Sequence, residues 1–194
     1  IFVMLPATAL FMVLAAPLVT TLFGGGRFDA YSSLLTSQAL FFYSIGLTAY
    51  GGTKVLQSCF FALKDTVTPA KIAGLALLMN IILNALLMFP LKIGGLALAT
   101  SISGIASFFL LFFNLRQRFG GFGEHKISKS FLRILAATLL MAAVCFLVNQ
   151  AINFYWALFC AALTYVFFCF IFGVAELKQL WHWLIPQETG YSRQ

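Results

Sequence analysis

Carboxylates and imidazoles, the side chains that most often carry acid–base or metal chemistry, are scarce in this sequence. The chain has five Asp and Glu residues and two His, and all seven lie between or after its apolar stretches. Catalysis inside a membrane would need a serine with a histidine, or a pair of aspartates, within such a stretch. Neither pattern occurs in the sequence, which therefore favours a protein that is not an enzyme. The seven acidic and histidine residues are Asp29, Asp65, Glu124, His125, Glu176, His182 and Glu188.

Lys54 is the one acidic or basic residue inside an apolar stretch. Ten residues separate it from Lys64, about 15 Å of helix, which places it near the middle of a bilayer. Because a charge there costs a few kcal/mol, we expect Lys54 to face a wet cavity or an anionic partner. The alternative is a structural lysine that contacts helix-end carbonyls. Neighbouring glycines, Gly46 and Gly51 among them, would let backbone or a ligand approach closely.

Asn80 and Asn84 form a second polar group and, four residues apart, share one face of a helix. Asn84 precedes Lys92 by eight residues and Thr100 follows it by eight, so a tight turn at Lys92 would bring Asn84 and Thr100 to a similar depth. Amide and hydroxyl oxygens at one depth can bind a hard monovalent cation, or they can hydrogen-bond two helices together. The residues alone leave both interpretations open.

The composition identifies the elements that must position these groups. The chain is 62% apolar and 9% charged, whereas a soluble domain is about 25% charged, and its mean hydropathy is +0.99. These values exclude a disordered chain, a disulfide-rich secreted scaffold and a conventional soluble enzyme. Since backbone groups in lipid must be paired internally, we predict an all-α polytopic membrane protein. Six segments are long enough to cross a bilayer: Ile1–Phe23, Gln38–Leu63, Ile72–Leu91, Ile93–Leu115, Ile134–Ile152 and Phe154–Ala175.

The connections between these segments predict the orientation. Nine of the 12 Lys and Arg residues lie on one alternate set of connections, two on the other and one, Lys54, within a segment. By the positive-inside rule the C-terminus is cytoplasmic, and the net charge of +7 reflects loops near membrane lipids rather than nucleic-acid binding. We divide the chain into membrane helices at 1–118, a cytoplasmic loop at 119–133, two further helices at 134–175 and a cytoplasmic tail at 176–194.

Two further expectations concern the ends of the chain and the turn at Lys92. Trp181 and Trp183 in the tail are typical of residues at a membrane interface. The chain begins at Ile1 inside an apolar run, without a Met, and we therefore expect it to be a fragment of a longer protein. A re-entrant hairpin around Pro90–Gly95 is the alternative to two full spans.

Four phrases carry a resemblance that covers the chain, most strongly from residue 22 to 118. They are LFGGGRFDA at Leu22–Ala30, FYSIGLTAYGGTK at Phe42–Lys54, LKDTVTPAKI at Leu63–Ile72 and FPLKIGGLALATSIS at Phe89–Ser103. Together they resemble the C-terminal part of the MurJ (MviN) family of lipid II flippases, which share a superfamily with the MATE-like exporters. Members of the family have fourteen spans, and this chain resembles the last six.

The resemblance implies a function and a set of site residues. It implies movement of lipid II, a polyprenyl-pyrophosphate-linked disaccharide-pentapeptide, to the outer leaflet of the bacterial cytoplasmic membrane by alternating access. Lys54 matches a lysine on the cavity side of the tenth span. A sodium site known in some members falls on Asn80, Asn84, Thr100 and the carbonyl of Leu96, with Asn84 in place of a carboxylate.

The resemblance also implies parts beyond these residues. Arginines of an N-terminal lobe, outside this sequence, hold the pyrophosphate, and the last two spans, here Phe131–Ala175, form a groove for the polyprenyl tail. Apart from the sodium ion, no cofactor is implied. Two other interpretations stay open: an exporter of drugs or of another polyprenyl-linked oligosaccharide, and a structural membrane protein without cargo.

Overall fold

The computed structural model describes residues 2–24, 29–120, 124–151 and 153–172, and these residues form helices with no strand. The helices are α1 Met4–Phe23, α2 Ala30–Ala62, α3 Val67–Phe119, α4 Glu124–Ala151 and α5 Phe154–Ile171. The predicted all-α fold is confirmed.

Helix α3 consists of two halves that fold back on each other at Lys92. Its 53 residues would extend about 80 Å if straight, more than twice the thickness of a hydrocarbon core. The backbone leaves the helical region at Lys92, with φ 50° and ψ −125°, and Asn80 of the first half then reaches Ser103 of the second. Gly95 permits this turn, because a Cβ atom there would lie 2.1 Å from the carbonyl oxygen of Leu87.

Four of the described helices are long and apolar enough to cross a membrane: α1, α3, α5 and the Ser130–Ala151 part of α4. Helix α2 has sufficient length, at 33 residues, but it contains no stretch as apolar as those in the other four. The count of six spans assumes that α2 and both halves of α3 each cross, and it stays a prediction.

Two helices extend further than the hydropathy pattern predicts. Helix α2 begins at Ala30, inside the expected connection 24–37, where the Asp29 carboxylate accepts a 2.8 Å hydrogen bond from the Ala30 N–H. Helix α4 begins at Glu124, so that most of the expected loop 119–133 is helical. Hydropathy detects the lipid-facing part of a helix, whereas backbone hydrogen bonds continue beyond it. The expectations for Trp181, Trp183 and the tail 176–194 concern residues outside the described part of the chain.

Helix α2 packs between α3 and α1, while α4 and α5 pair with each other and pack on α1. The core between α1, α4 and α5 is built on Leu14, Ile134 and Met141. A separate core at the C-terminal end of α2 centres on Phe60 and Leu111. The second half of α3 runs parallel to α2, because Lys92 contacts Tyr31 near one end and Phe60 packs with Leu111 towards the other.

Candidate functional site

The predicted polar group on α3 is assembled by the turn at Lys92. The Asn80 amide nitrogen donates to the Ser103 hydroxyl at 3.0 Å and to the Thr100 hydroxyl at 3.3 Å. The Asn84 amide nitrogen donates to the Asn80 carbonyl oxygen at 2.8 Å, and the Thr100 hydroxyl donates to the Leu96 carbonyl at 2.8 Å. The turn predicted at Lys92 does bring the two halves together, but the residue that reaches Thr100 is Asn80, whereas Asn84, which the depth argument paired with Thr100, is linked to it only through Asn80.

These contacts describe a network that joins the halves of α3, and they also show which oxygen atoms a cation could recruit. Three candidate oxygens, those of Asn80, Leu96 and Thr100, already take part in hydrogen bonds. The side-chain oxygen of Asn84 is buried and accepts no hydrogen bond from any residue that the structure describes. A buried acceptor without a partner is unusual and costs about 1–3 kcal/mol. The neutral oxygen set fits a hard monovalent cation in its chemistry.

Tyr50 links α2 to this network and was missed in the sequence analysis. Its hydroxyl donates to the Thr100 carbonyl at 2.9 Å, and its ring covers Gly104, where a Cβ atom would lie 2.7 Å from the ring. The signal was available in the sequence, since Tyr50 precedes Lys54 by four residues and shares its side of the helix.

Lys54 lies on an exposed surface of α2, and no carboxylate of the described residues forms an ion pair with it. Lys54 follows Tyr50 by one helical turn, about 6 Å along the axis. No hydrogen bond joins Lys54 to Asn80, Asn84 or Thr100 within the described part of the chain. Lys54 is therefore an exposed lysine on the helix that contacts the polar network, and it is not itself a member of the network.

The glycines around Lys54 serve helix packing. A Cβ atom on Gly46 would lie 2.8 Å from the Cα atom of Ser101, and one on Gly52 would lie 2.4 Å from the ring of Phe108. Both neighbours belong to the second half of α3. Close approach at these glycines is thus used by a neighbouring helix, one of the two uses that the sequence left open.

Where the two halves of α3 meet at the side away from the Lys92 turn, Asp65 and Arg118 form an ion pair of 2.6 Å. The sequence analysis did not identify this pair. Asp65 also accepts from the Thr68 backbone N–H at 3.0 Å and from its hydroxyl at 2.7 Å. These two bonds and then the Arg118 guanidinium hold the pKa of the Asp65 carboxyl below its usual value. The guanidinium also lies over the ring of Phe60 at 5.6 Å. This cluster ties the start of α3 to its end.

An apolar groove of 730 Å³ lies between α4 and α5, inside the segment predicted to hold a polyprenyl tail. It is open along one side and contains a single hydroxyl, that of Thr164, among apolar side chains. The lining residues are Val144, Leu163, Thr164, Val166, Phe167, Phe168 and Phe170.

Comparisons with known proteins agree on one family. A model of the family "Lipid II flippase MurJ" matches residues 1–167. Over 191 residues the chain is 29% identical to the probable lipid II flippase MurJ of Buchnera aphidicola subsp. Acyrthosiphon pisum, covering 92% of this chain and 37% of the relative. Over 177 residues it is 32% identical to the lipid II flippase MurJ of Thermosipho africanus, covering 89% of this chain and 35% of the relative.

A solved structure of a lipid II flippase MurJ in an inward closed conformation superposes on this fold. The TM-score is 0.76 at 29% sequence identity, over 92% of this chain and 37% of that one. The chain therefore spans somewhat more than a third of the length of the relatives that it matches. Since the family model matches 167 of the 194 residues, the chain belongs to the MurJ family of lipid II flippases.

Proposed function

We propose that this chain is the C-terminal part of a transporter that moves lipid II from the inner to the outer leaflet of the bacterial cytoplasmic membrane by alternating access, without catalysing a reaction. The observation that supports the proposal is the exposed Lys54, which lies about 12 Å before the C-terminal end of α2, in a chain of the flippase family. An unpaired cation at that depth is expensive unless water or an anion meets it.

The proposed cargo explains why a cationic, wet surface is useful. A pyrophosphate and its sugars cannot cross a hydrocarbon core unaided, because desolvation of charged and polar groups costs many kcal/mol. Lys54 would lower that cost for the pyrophosphate together with arginines of an upstream lobe. The polyprenyl tail would stay in lipid or in the groove between α4 and α5, where the described walls are almost entirely apolar.

Lys54→Ala in the full-length protein tests the role of the charge, with Lys71→Ala as the matched control. Lys71 is an exposed lysine in the first turns of α3, on a different helix from Lys54. We expect Lys54→Ala to reduce exposure of lipid II on the outer leaflet and growth of cells that depend on the protein, and Lys71→Ala to leave both unchanged. Unaltered growth and exposure with Lys54→Ala would instead favour a structural protein, and cation-coupled drug efflux by the wild type would favour a drug exporter.

We further propose six spans with a cytoplasmic C-terminus. The proposal is supported by the excess of basic residues on alternate connections and by the antiparallel halves of α3. In a cysteine-free full-length protein, single cysteines at Lys71 and Lys92 should react with impermeant reagents from opposite sides of the membrane. Labelling of both from one side would overturn this topology.

We also propose that a sodium ion is held by Asn80, Asn84, Thr100 and the carbonyl of Leu96. The buried oxygen of Asn84, without a partner among the described residues, supports this assignment, because a cation would supply that partner. Asn84→Leu should abolish any rise in melting temperature that sodium gives over potassium. Asn114→Leu is the control, since the Asn114 amide bonds only to its own helix, at Leu110. A wild-type protein with equal melting temperatures in the two salts would remove the sodium proposal and leave the transport proposal standing.

A further inference from the structure

A second groove, of 330 Å³, lies between α1, the N-terminal half of α2 and the turn of α3, and no proposed role of the protein uses it. Its volume falls in the range of about 300–1,000 Å³ that is typical of ligand sites. Gln38, on its wall, precedes Lys54 by sixteen residues, which places the two about 160° apart around α2. The groove therefore opens on the side of α2 that faces away from Lys54. Its lining residues are Met12, Val13, Ala15, Ala16, Leu34, Ser37, Gln38, Phe41, Phe42 and Leu91.

The ammonium group of Lys92 lies near one end of this groove. Leu91 lines the groove and Lys92 follows it at the turn of α3. The Lys92 ammonium donates a 2.6 Å hydrogen bond to the Tyr31 hydroxyl and lies 5.2 Å from the centre of the same ring. Among the described residues no carboxylate pairs with it, and the nearby Asp29 carboxylate accepts from the Ala30 N–H. The charge of Lys92 is therefore available to an anion.

Polar groups also occur inside the groove. Gln38 lies seven residues after Tyr31, about 10 Å further along α2, and places an amide among apolar side chains. On the opposite wall, the carbonyl of Val13 lacks its usual helical donor, because Pro17 has no N–H. The groove thus has a cation at one end, an amide further along and apolar walls elsewhere. A ligand with an anionic end, then a polar linkage, then an apolar chain has the matching order.

We propose that this groove binds an anionic glycerophospholipid of the membrane, with one acyl chain between α1 and α2, the ester linkage at Gln38 and the phosphate at Lys92 and Tyr31. Charge complementarity selects the class of ligand, since the Lys92 ammonium and the Tyr31 hydroxyl together can donate to phosphate oxygens. The ring of Tyr31 holds the ammonium at the groove entrance through a cation–π contact. The groove opens beside exposed apolar residues of α1 and α2, among them Phe11 and Leu34, so lipid can enter from the bilayer.

Native mass spectrometry of the full-length protein tests the proposal, with phosphatidylglycerol and phosphatidylcholine of identical acyl chains as probes. The wild type should retain phosphatidylglycerol in preference to phosphatidylcholine. Lys92→Gln should lose about tenfold of that preference, because the phosphate is common to both lipids and the lysine charge favours the one with a net negative charge, whereas Lys71→Gln at the other end of the first half of α3 should keep it. Ala16→Phe, which fills the groove from an exposed position, should lower retention of both lipids, with unchanged elution and helical content as the check of folding.

Photocrosslinking distinguishes the alternative occupants. Benzoylphenylalanine in place of Phe41, an exposed aromatic residue of the lining, should attach to phospholipid in native membranes. Crosslinks to an upstream segment of the same protein, to a second copy or to a polyprenyl phosphate would each overturn the proposal. Equal phosphatidylglycerol preference in the wild type and Lys92→Gln would overturn it as well. None of these results depends on lipid II transport, so the two proposals can fail separately.

Discussion

Replacement of Asn80 by alanine removes the hydrogen bonds that join the two halves of α3. The Asn80 side chain donates to Thr100 and Ser103 and accepts from Asn84. Hydrogen bonds between helices in a membrane average about 0.6 kcal/mol each, so the loss of three predicts a fall of about 2 kcal/mol in the free energy of unfolding. At least about 1 of these roughly 2 kcal/mol should come from the bonds to Thr100 and Ser103, which join the first half of α3 to the second.

The measurement is reversible unfolding of the full-length protein in mixed micelles with increasing SDS, in potassium salts so that sodium does not contribute. Asn114→Ala is the matched control, because the Asn114 amide bonds to Leu110 in its own helix and its loss leaves the turn of α3 intact. We expect less than about 0.5 kcal/mol from that variant. A double-mutant cycle of Asn80→Ala with Ser103→Ala should give a coupling energy of about 0.6 kcal/mol.

Two results would refute this reasoning. A fall below about 0.5 kcal/mol for Asn80→Ala would mean that apolar packing and the turn at Lys92 alone hold the halves together. A coupling energy of zero between Asn80 and Ser103 would mean that their 3.0 Å contact contributes nothing, and that Ser103 is satisfied by its own bond to the Ala99 carbonyl.

Two further predictions follow from the packing and from the pKa of Asp65. Gly46→Ala should lower the free energy of unfolding by about 1–3 kcal/mol, because its Cβ atom meets the Ser101 backbone at 2.8 Å. Gly74→Ala in α3, with no atom within 4 Å, should raise it by up to about 1 kcal/mol in the same SDS titration. Hydrogen bonds from Thr68 lower the folded-state pKa of Asp65, so its contribution is present above the unfolded-state pKa and is lost as the pH falls through the folded-state pKa. Asp65→Asn should therefore show a flatter loss of thermal stability in acid than the wild type, and parallel acid curves would contradict this.

The helical elements and the turn of α3 could be predicted because both depend on distances along one chain. Hydropathy located the apolar segments, and counting residues on either side of Lys92 brought Asn84 and Thr100 to one depth. The rise per residue is nearly constant in a helix, so depth is a property of the sequence. Within the described residues Thr100 is bonded by Asn80, one turn from the predicted Asn84, which reaches Thr100 only through Asn80, and the proposed role of these residues in ion binding stays a prediction.

The contacts between helices could not be predicted in the same way. Asp65 and Arg118 are 53 residues apart and meet because the second half of α3 returns to the start of the first. Likewise the Ser101 hydroxyl donates to the carbonyl of Phe42 at 2.6 Å, a partner that depends on how α2 and α3 are rotated. Rotation is set by packing of small residues, and hydropathy contains no information about it.

Polar contacts contribute more than apolar side chains to holding the first half of α3 against the second. Most of its large side chains, such as Leu78 and Ile82, are exposed and would face lipid or another part of the protein. Lipid chains are as apolar as leucine, so no hydrophobic force brings the two halves of α3 together inside a bilayer. What holds them is a series of specific contacts: the Asp65 ion pair at one end, the Asn80 network in the middle and the close turn at Gly95. The Asn84 oxygen is buried and accepts no hydrogen bond from the described residues, and under the sodium proposal it is the position at which a bound cation would add a contact to this series.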